Sequence, residues 1–84
     1  MNTPEHASPI TAQSLGLRLQ TLRERRHLKQ CAVAKQIFVS PQSYSAYEKG
    51  KRLPNILILV RLSRFYRISL DYLVTGESFC VQRD

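Results

Sequence analysis

The sequence predicts an all-α fold: a compact domain of five short helices, the second and third joined by a tight turn. Three observations predict it. Apolar residues recur at helical spacing in successive short segments. Ser40-Pro41, Asn55 and Ser69 stand where helices begin, and Gly50 and Gly76 where helices stop. The length of 84 residues, 43% of them hydrophobic, suits one globular domain and is too short for two.

Residues 1–10 read as a flexible N-terminal arm, with Pro4, Pro9 and small polar residues. Either Ser8-Pro9 or Thr11 caps the first helix. Leu15, Leu19 and Leu22 then form one apolar stripe, and Arg18, Arg23, Glu24, Arg25 and Arg26 occupy the other faces. His27 ends this helix, because histidine enters left-handed backbone angles more readily than most residues. The second helix runs from Lys29 or Gln30 to Ile37, with Val33, Ala34 and Ile37 inward. Ala34 is small enough for a close helix crossing. Cys31 lies within this helix and reads as a buried free thiol. Its distance in sequence from Cys80 is neither a zinc spacing nor a redox pair.

Phe38-Val39 makes the turn. The third helix runs from Pro41 to about Lys49, with Ser40 as N-cap. Tyr44 and Tyr47 point inward, which turns Gln42, Ser43, Ser45, Ala46 and Lys49 outward. Solvated helices carry Lys and Glu there. Small and amide side chains instead allow close approach to another surface, and glutamine can pair with an adenine edge. After Gly50 come the loop residues Lys51, Arg52, Leu53 and Pro54.

The fourth helix spans Asn55 to Tyr66, with Ile56, Leu59, Leu62, Ser63 and Tyr66 as its core stripe. Leu57, Ile58 and Phe65 lie off that stripe. A helix apolar on more than one side has a second surface to cover. With Phe79 and Val81 they are the dimer-interface candidates. Ser69 to Val74 is a short capped fifth helix, and residues 78–84 are a short C-terminal tail.

Charge is concentrated in the middle of the chain. Net charge is +7, and twelve of thirteen Lys and Arg fall within residues 18–67 beside only two acids, Glu24 and Glu48. A field of that sign attracts polyanions. Arg61, Arg64 and Arg67 read as a solvated face of the fourth helix, and His6 and His27 have no ligand partners. No run of about 20 apolar residues is present, and the start lacks the pattern of a secretory signal, so a cytoplasmic location is expected. Nothing in the sequence supports catalysis, a metal site or a cofactor: there is no carboxylate pair, no nucleophile beside a base and no phosphate-cradling glycine loop.

Taken in order, Leu15-Gly16, Leu22-Arg23, Leu28-x-Gln30, Ala34, Val39-Ser40, Tyr47-Glu48-x-Gly50-Lys51-Arg52-x-Pro54 and Ile68-Ser69-Leu70-Asp71-x-Leu73 resemble the phage repressor/Cro-like, XRE-type helix-turn-helix family. The resemblance covers residues 15–77 and places the domain at 11–77. It implies a lambda-repressor-like domain that binds double-stranded operator DNA as a homodimer and regulates transcription, most simply as a repressor. It implies base contacts from Gln42, Ser43, Ser45 and Ala46. It implies phosphate contacts from Gln30, Lys49, Lys51 and Arg52, with Lys29 joining them in place of the family's usual hydroxyl. Arg23 and Glu48 match a structural ion pair.

Two further departures from the family are Phe38, where a glycine is usual, and Pro41, often polar. If position 38 keeps φ above zero, phenylalanine is strained there by roughly 1–2 kcal/mol; otherwise the turn is rebuilt. Two alternatives compete: the antitoxin of a toxin–antitoxin pair, with a toxin or anti-repressor covering an apolar surface, and a protein-interaction module that reuses the fold.

Overall fold

The computed structural model describes residues 10–77, which form α1 (Ala12–Arg25), α2 (Gln30–Gln36), α3 (Pro41–Glu48), α4 (Ile56–Tyr66) and α5 (Leu70–Thr75), with no strand among them. Most of the arm and the whole Phe79–Val81 patch lie outside the described residues.

Four of the five helices start on a side-chain cap. Thr11, Ser40, Asn55 and Ser69 accept the amides of Ser14, Ser43, Ile58 and Tyr72 at 2.9–3.1 Å. Each such cap contributes about 1 kcal/mol. Thr11 therefore takes the first-helix role over Ser8-Pro9. Lys29 makes no side-chain cap on α2, as its chemistry requires.

The ends share one geometry. His27, Phe38, Gly50, Arg67 and Gly76 all have positive φ, between 56° and 79°. At the ends of α1, α2 and α3 the amide that follows the left-handed residue returns to a carbonyl of the last turn: Leu28 to Arg23, Val39 to Ala34 and Lys51 to Ala46, at 3.0–3.2 Å. Phe38 thus keeps the left-handed conformation, at φ 62°, and the turn between α2 and α3 is not rebuilt.

Arginines from other helices close three further carbonyls near helix ends. Arg18 donates to the Leu73 carbonyl at 2.8 Å, Arg26 to that of Tyr66 at 2.7 Å, and Arg61 to that of Ile37 at 3.2 Å. Cations at helix C-termini also complement the helix dipole. Arg61 is accordingly half-buried and not part of a solvated face; it sits over the Phe38 ring at 5.2 Å.

The core joins Leu15, Leu19 and Leu22 of α1, Val33, Ala34 and Ile37 around α2, Tyr44 and Tyr47 of α3, Ile58, Leu62 and Tyr66 of α4, and Leu73 of α5. At Gly16, α1 lies directly against the backbone at the end of α3. A Cβ there would stand 2.6 Å from the Tyr47 carbonyl oxygen and still nearer that of Glu48.

Two further expectations are corrected. The buried face of α4 is Ile58, Leu62, Ser63 and Tyr66, while Ile56 is 65% exposed. Residues 56–60 are apolar without a break, so two stripes fit the helical period, and both include Leu62, Ser63 and Tyr66. The packing selects Ile58, which is core and not a subunit interface. Cys31 is exposed. It precedes Val33 by two positions, about 200° around the helix from the buried face.

Candidate nucleic-acid interface

Helix α3 is held by a polar network on its inner side. Arg23 grips Glu48 through two hydrogen bonds, Nε to Oε2 at 2.7 Å and Nη2 to Oε1 at 3.1 Å. Arg23 Nη1 also donates to the Leu28 carbonyl at 2.9 Å, which ties the entry of α2 to the same point. Gln30 Nε2 donates to Glu48 Oε1 at 2.9 Å. Three helices therefore meet on one carboxylate. Gln30, which the resemblance assigns to a phosphate, thus also braces α3 from behind.

Burial alone would raise the Glu48 carboxyl. Hydrogen bonds from Arg23, Tyr44 and Gln30 and the Arg23 charge outweigh it and hold the group below its ordinary value. The same pair raises the Arg23 guanidinium, so both partners stay charged. Burial pushes the Tyr44 and Tyr66 phenols up, which keeps them protonated as donors. Their hydroxyls lie 3.4 Å apart in the core.

This network leaves the outward face of α3 without an acid. Glu48 is the only acid of the helix, and its side chain is 4% exposed. Gln42 and Lys49 are exposed, and Ser43, Ser45 and Ala46 are partly exposed. Gln42, Ser45, Ala46, Lys49 and Lys51 line one shallow concavity of about 300 Å³. The structure thus brings together most of the residues singled out in sequence for this face. Lys29 is exposed at the start of α2. Arg52 turns back along α3, where its Nη1 donates to Ser43 Oγ at 3.2 Å.

Among the dimer candidates, Leu57 is 55% exposed, whereas Ile58 is buried at 6%. Phe65 is half-buried and meets Tyr66 edge to face, with ring centroids 4.9 Å apart. Phe79 and Val81 lie outside the described residues. Sequence reasoning missed the close-packing role of Gly16 and the carbonyl-capping roles of Arg18, Arg26 and Arg61. A signal was present for the arginines in their positions on polar helix faces, but the carbonyls they reach are set by tertiary packing. Among the described residues no group of three or more His, Cys, Asp or Glu gathers to hold a metal, and no helix is long and apolar enough to cross a membrane.

Five helices among the described residues, a left-handed turn between α2 and α3, and an acid-free α3 face braced from behind define a helix-turn-helix protein. A helix-turn-helix family model matches residues 19–73, and the chain belongs to the XRE-type, phage repressor/Cro-like branch of that family of DNA-binding transcriptional regulators. It is 38% identical over 60 residues, 71% of its length, to the HTH-type transcriptional activator BcrR of Enterococcus faecalis, of which it covers 29%. It is 31% identical over 68 residues, 81% of its length, to repressor protein C2 of Salmonella phage P22, of which it covers 32%. The chain thus spans about three tenths of each of these relatives. A crystal structure of the P22 c2 repressor with a synthetic operator superposes with a TM-score of 0.72 at 32% identity, covering 75% of this chain and 96% of that one.

Proposed function

We propose that this chain binds double-stranded DNA sequence-specifically and regulates transcription, as a repressor, by occupying an operator with α3 in the major groove. One observation carries this reading. The outward face of α3 presents amide, hydroxyl and methyl groups flanked by lysines, while its single carboxylate is buried against Arg23. Such a face approaches base edges closely and meets no like charge at the phosphates. The P22 relative, solved with a synthetic operator, supports it.

In this reading Gln42, Ser43, Ser45 and Ala46 face base edges. Lys29, Lys49 and Lys51 lie against phosphates, and Gln30 offers its second amide hydrogen to one. Leu53, Ile56 and Leu57 are 55–65% exposed around the start of α4. They form the surface for a second copy, which would set two α3 helices about 34 Å apart in successive major grooves.

Selection of bound duplexes from a randomised pool tests the proposal. A two-fold symmetric motif with half-sites one helical turn apart is expected. Recovery of duplexes with no shared motif contradicts it.

A further inference from the structure

We propose that Arg52 and Ser43 act as one donor-only unit that reads a guanine, so that Arg52 is a specificity-determining residue and not a phosphate contact. The inference rests on the DNA-binding reading above.

Ser43 Oγ accepts from Arg52 Nη1 at 3.2 Å and from the Ser40 hydroxyl at 3.0 Å. The Ser40 oxygen in turn accepts the Ser43 amide at 3.1 Å. A hydroxyl oxygen has two lone pairs, and both are now engaged. What Ser43 has left to offer is its O–H. Arg52 adds a guanidinium whose N–H groups are all donors, and only one of them is used on Ser43. The composite edge therefore gives hydrogen bonds and takes none.

In the major groove a single base presents two adjacent acceptors and no donor: guanine, through N7 and O6. Adenine pairs an acceptor with a donor, which suits the carboxamide of neighbouring Gln42 instead. Thymine offers one acceptor beside a methyl, and cytosine presents a donor. The Ser43 contact also places the guanidinium beside the first turn of α3, although Arg52 itself stands in the loop beyond the helix C-terminus. A phosphate contact needs no such anchor, since a freely moving cation serves equally well.

The same randomised-pool selection, run on the wild type and on Arg52→Ala, Arg52→Lys and Ser43→Ala, tests the assignment. The wild-type motif should contain a guanine next to the base pair assigned to Gln42. Arg52→Ala should lose preference there alone, by about five- to a hundredfold. Arg52→Lys should retain part of it and Ser43→Ala should blur it. Replacing that guanine by 7-deazaguanine removes the N7 acceptor. It should weaken wild-type binding and leave Arg52→Ala indifferent. A uniform loss for Arg52→Ala over all duplexes, with an unchanged motif and a salt slope lower by about one, overturns the assignment and makes Arg52 a phosphate contact. Failure of the wild type to bind any duplex overturns the underlying DNA reading as well.

Discussion

Glu48, the last residue of α3, is gripped in a fork by Arg23 of α1, with the shorter of the two hydrogen bonds at 2.7 Å. The pair is charge-assisted and geometrically specific. Its net stability contribution can be small, because two charges leave water to form it. Its consequence is positional: it fixes the end of α3 to the scaffold and withdraws the helix's one negative charge from the outward face.

That pair makes stability depend on pH in a defined direction. The Glu48 carboxyl is held below its ordinary value of 4.5 in the folded chain. The unfolded chain therefore binds the proton first as pH falls, so the contribution is complete above that value and is lost as pH drops through the depressed one. Urea denaturation should show stability falling on acidification in this window. Glu48→Gln should remove that component of the pH dependence.

Gly16 should not tolerate a methyl group. The atoms a Cβ would meet are the backbone carbonyls of Tyr47 and Glu48, which cannot swing aside as a side chain end would. Gly16→Ala, for all its better helix propensity, should cost at least about 1–3 kcal/mol in chemical denaturation, as overpacking does. Unchanged stability would mean that α1 and α3 are farther apart than described.

Phe38 holds a left-handed backbone while the residue as a whole is 77% exposed, so its burial compensates little for the strain. Phe38→Gly relieves the strain; Phe38→Ala retains it. The glycine variant should be the more stable of the two by about 1 kcal/mol. Thermal or urea unfolding of the pair checks this, and equal stability would contradict the strain.

Gln42 and Lys51 should separate readout from attraction. Gln42→Ala should cost about 1–3 kcal/mol on the selected site and relax preference at one base pair. Lys51→Ala should weaken binding to every duplex alike and flatten the salt slope by about one. Binding titrations at several salt concentrations, on selected and random duplexes, distinguish the two patterns.

The helix order, the caps at Ser40, Asn55 and Ser69, the inward tyrosines of α3 and its outward face were legible in the chain, because each depends on local chemistry or on one helical period. The partnership of Arg23 with Glu48 was legible only through family resemblance, since nothing local joins residues so far apart in sequence. The register of α4 was not legible: an unbroken apolar run from Ile56 to Val60 satisfies two stripes, and packing against the other helices chooses Ile58. The exposure of Cys31 was in reach of the period that placed Val33 and Ala34, and a general preference of free thiols for the interior misdirected it. The resemblance assigns Arg52 to a phosphate and gives no sign of a partner on α3. The return of Arg52 to Ser43 depends on the course of the chain after Gly50, which composition does not encode.

The central claim is that α3 is the surface that meets DNA. A titration of the protein with its selected duplex, followed by backbone amide shifts, tests it most directly. The account predicts the largest perturbations across Gln42 to Lys49 and in the following Lys51–Arg52 loop, with the α1–α5 side unchanged. Perturbation centred on Leu17, Thr21 and Tyr72, with Gln42 to Lys49 silent, would contradict it.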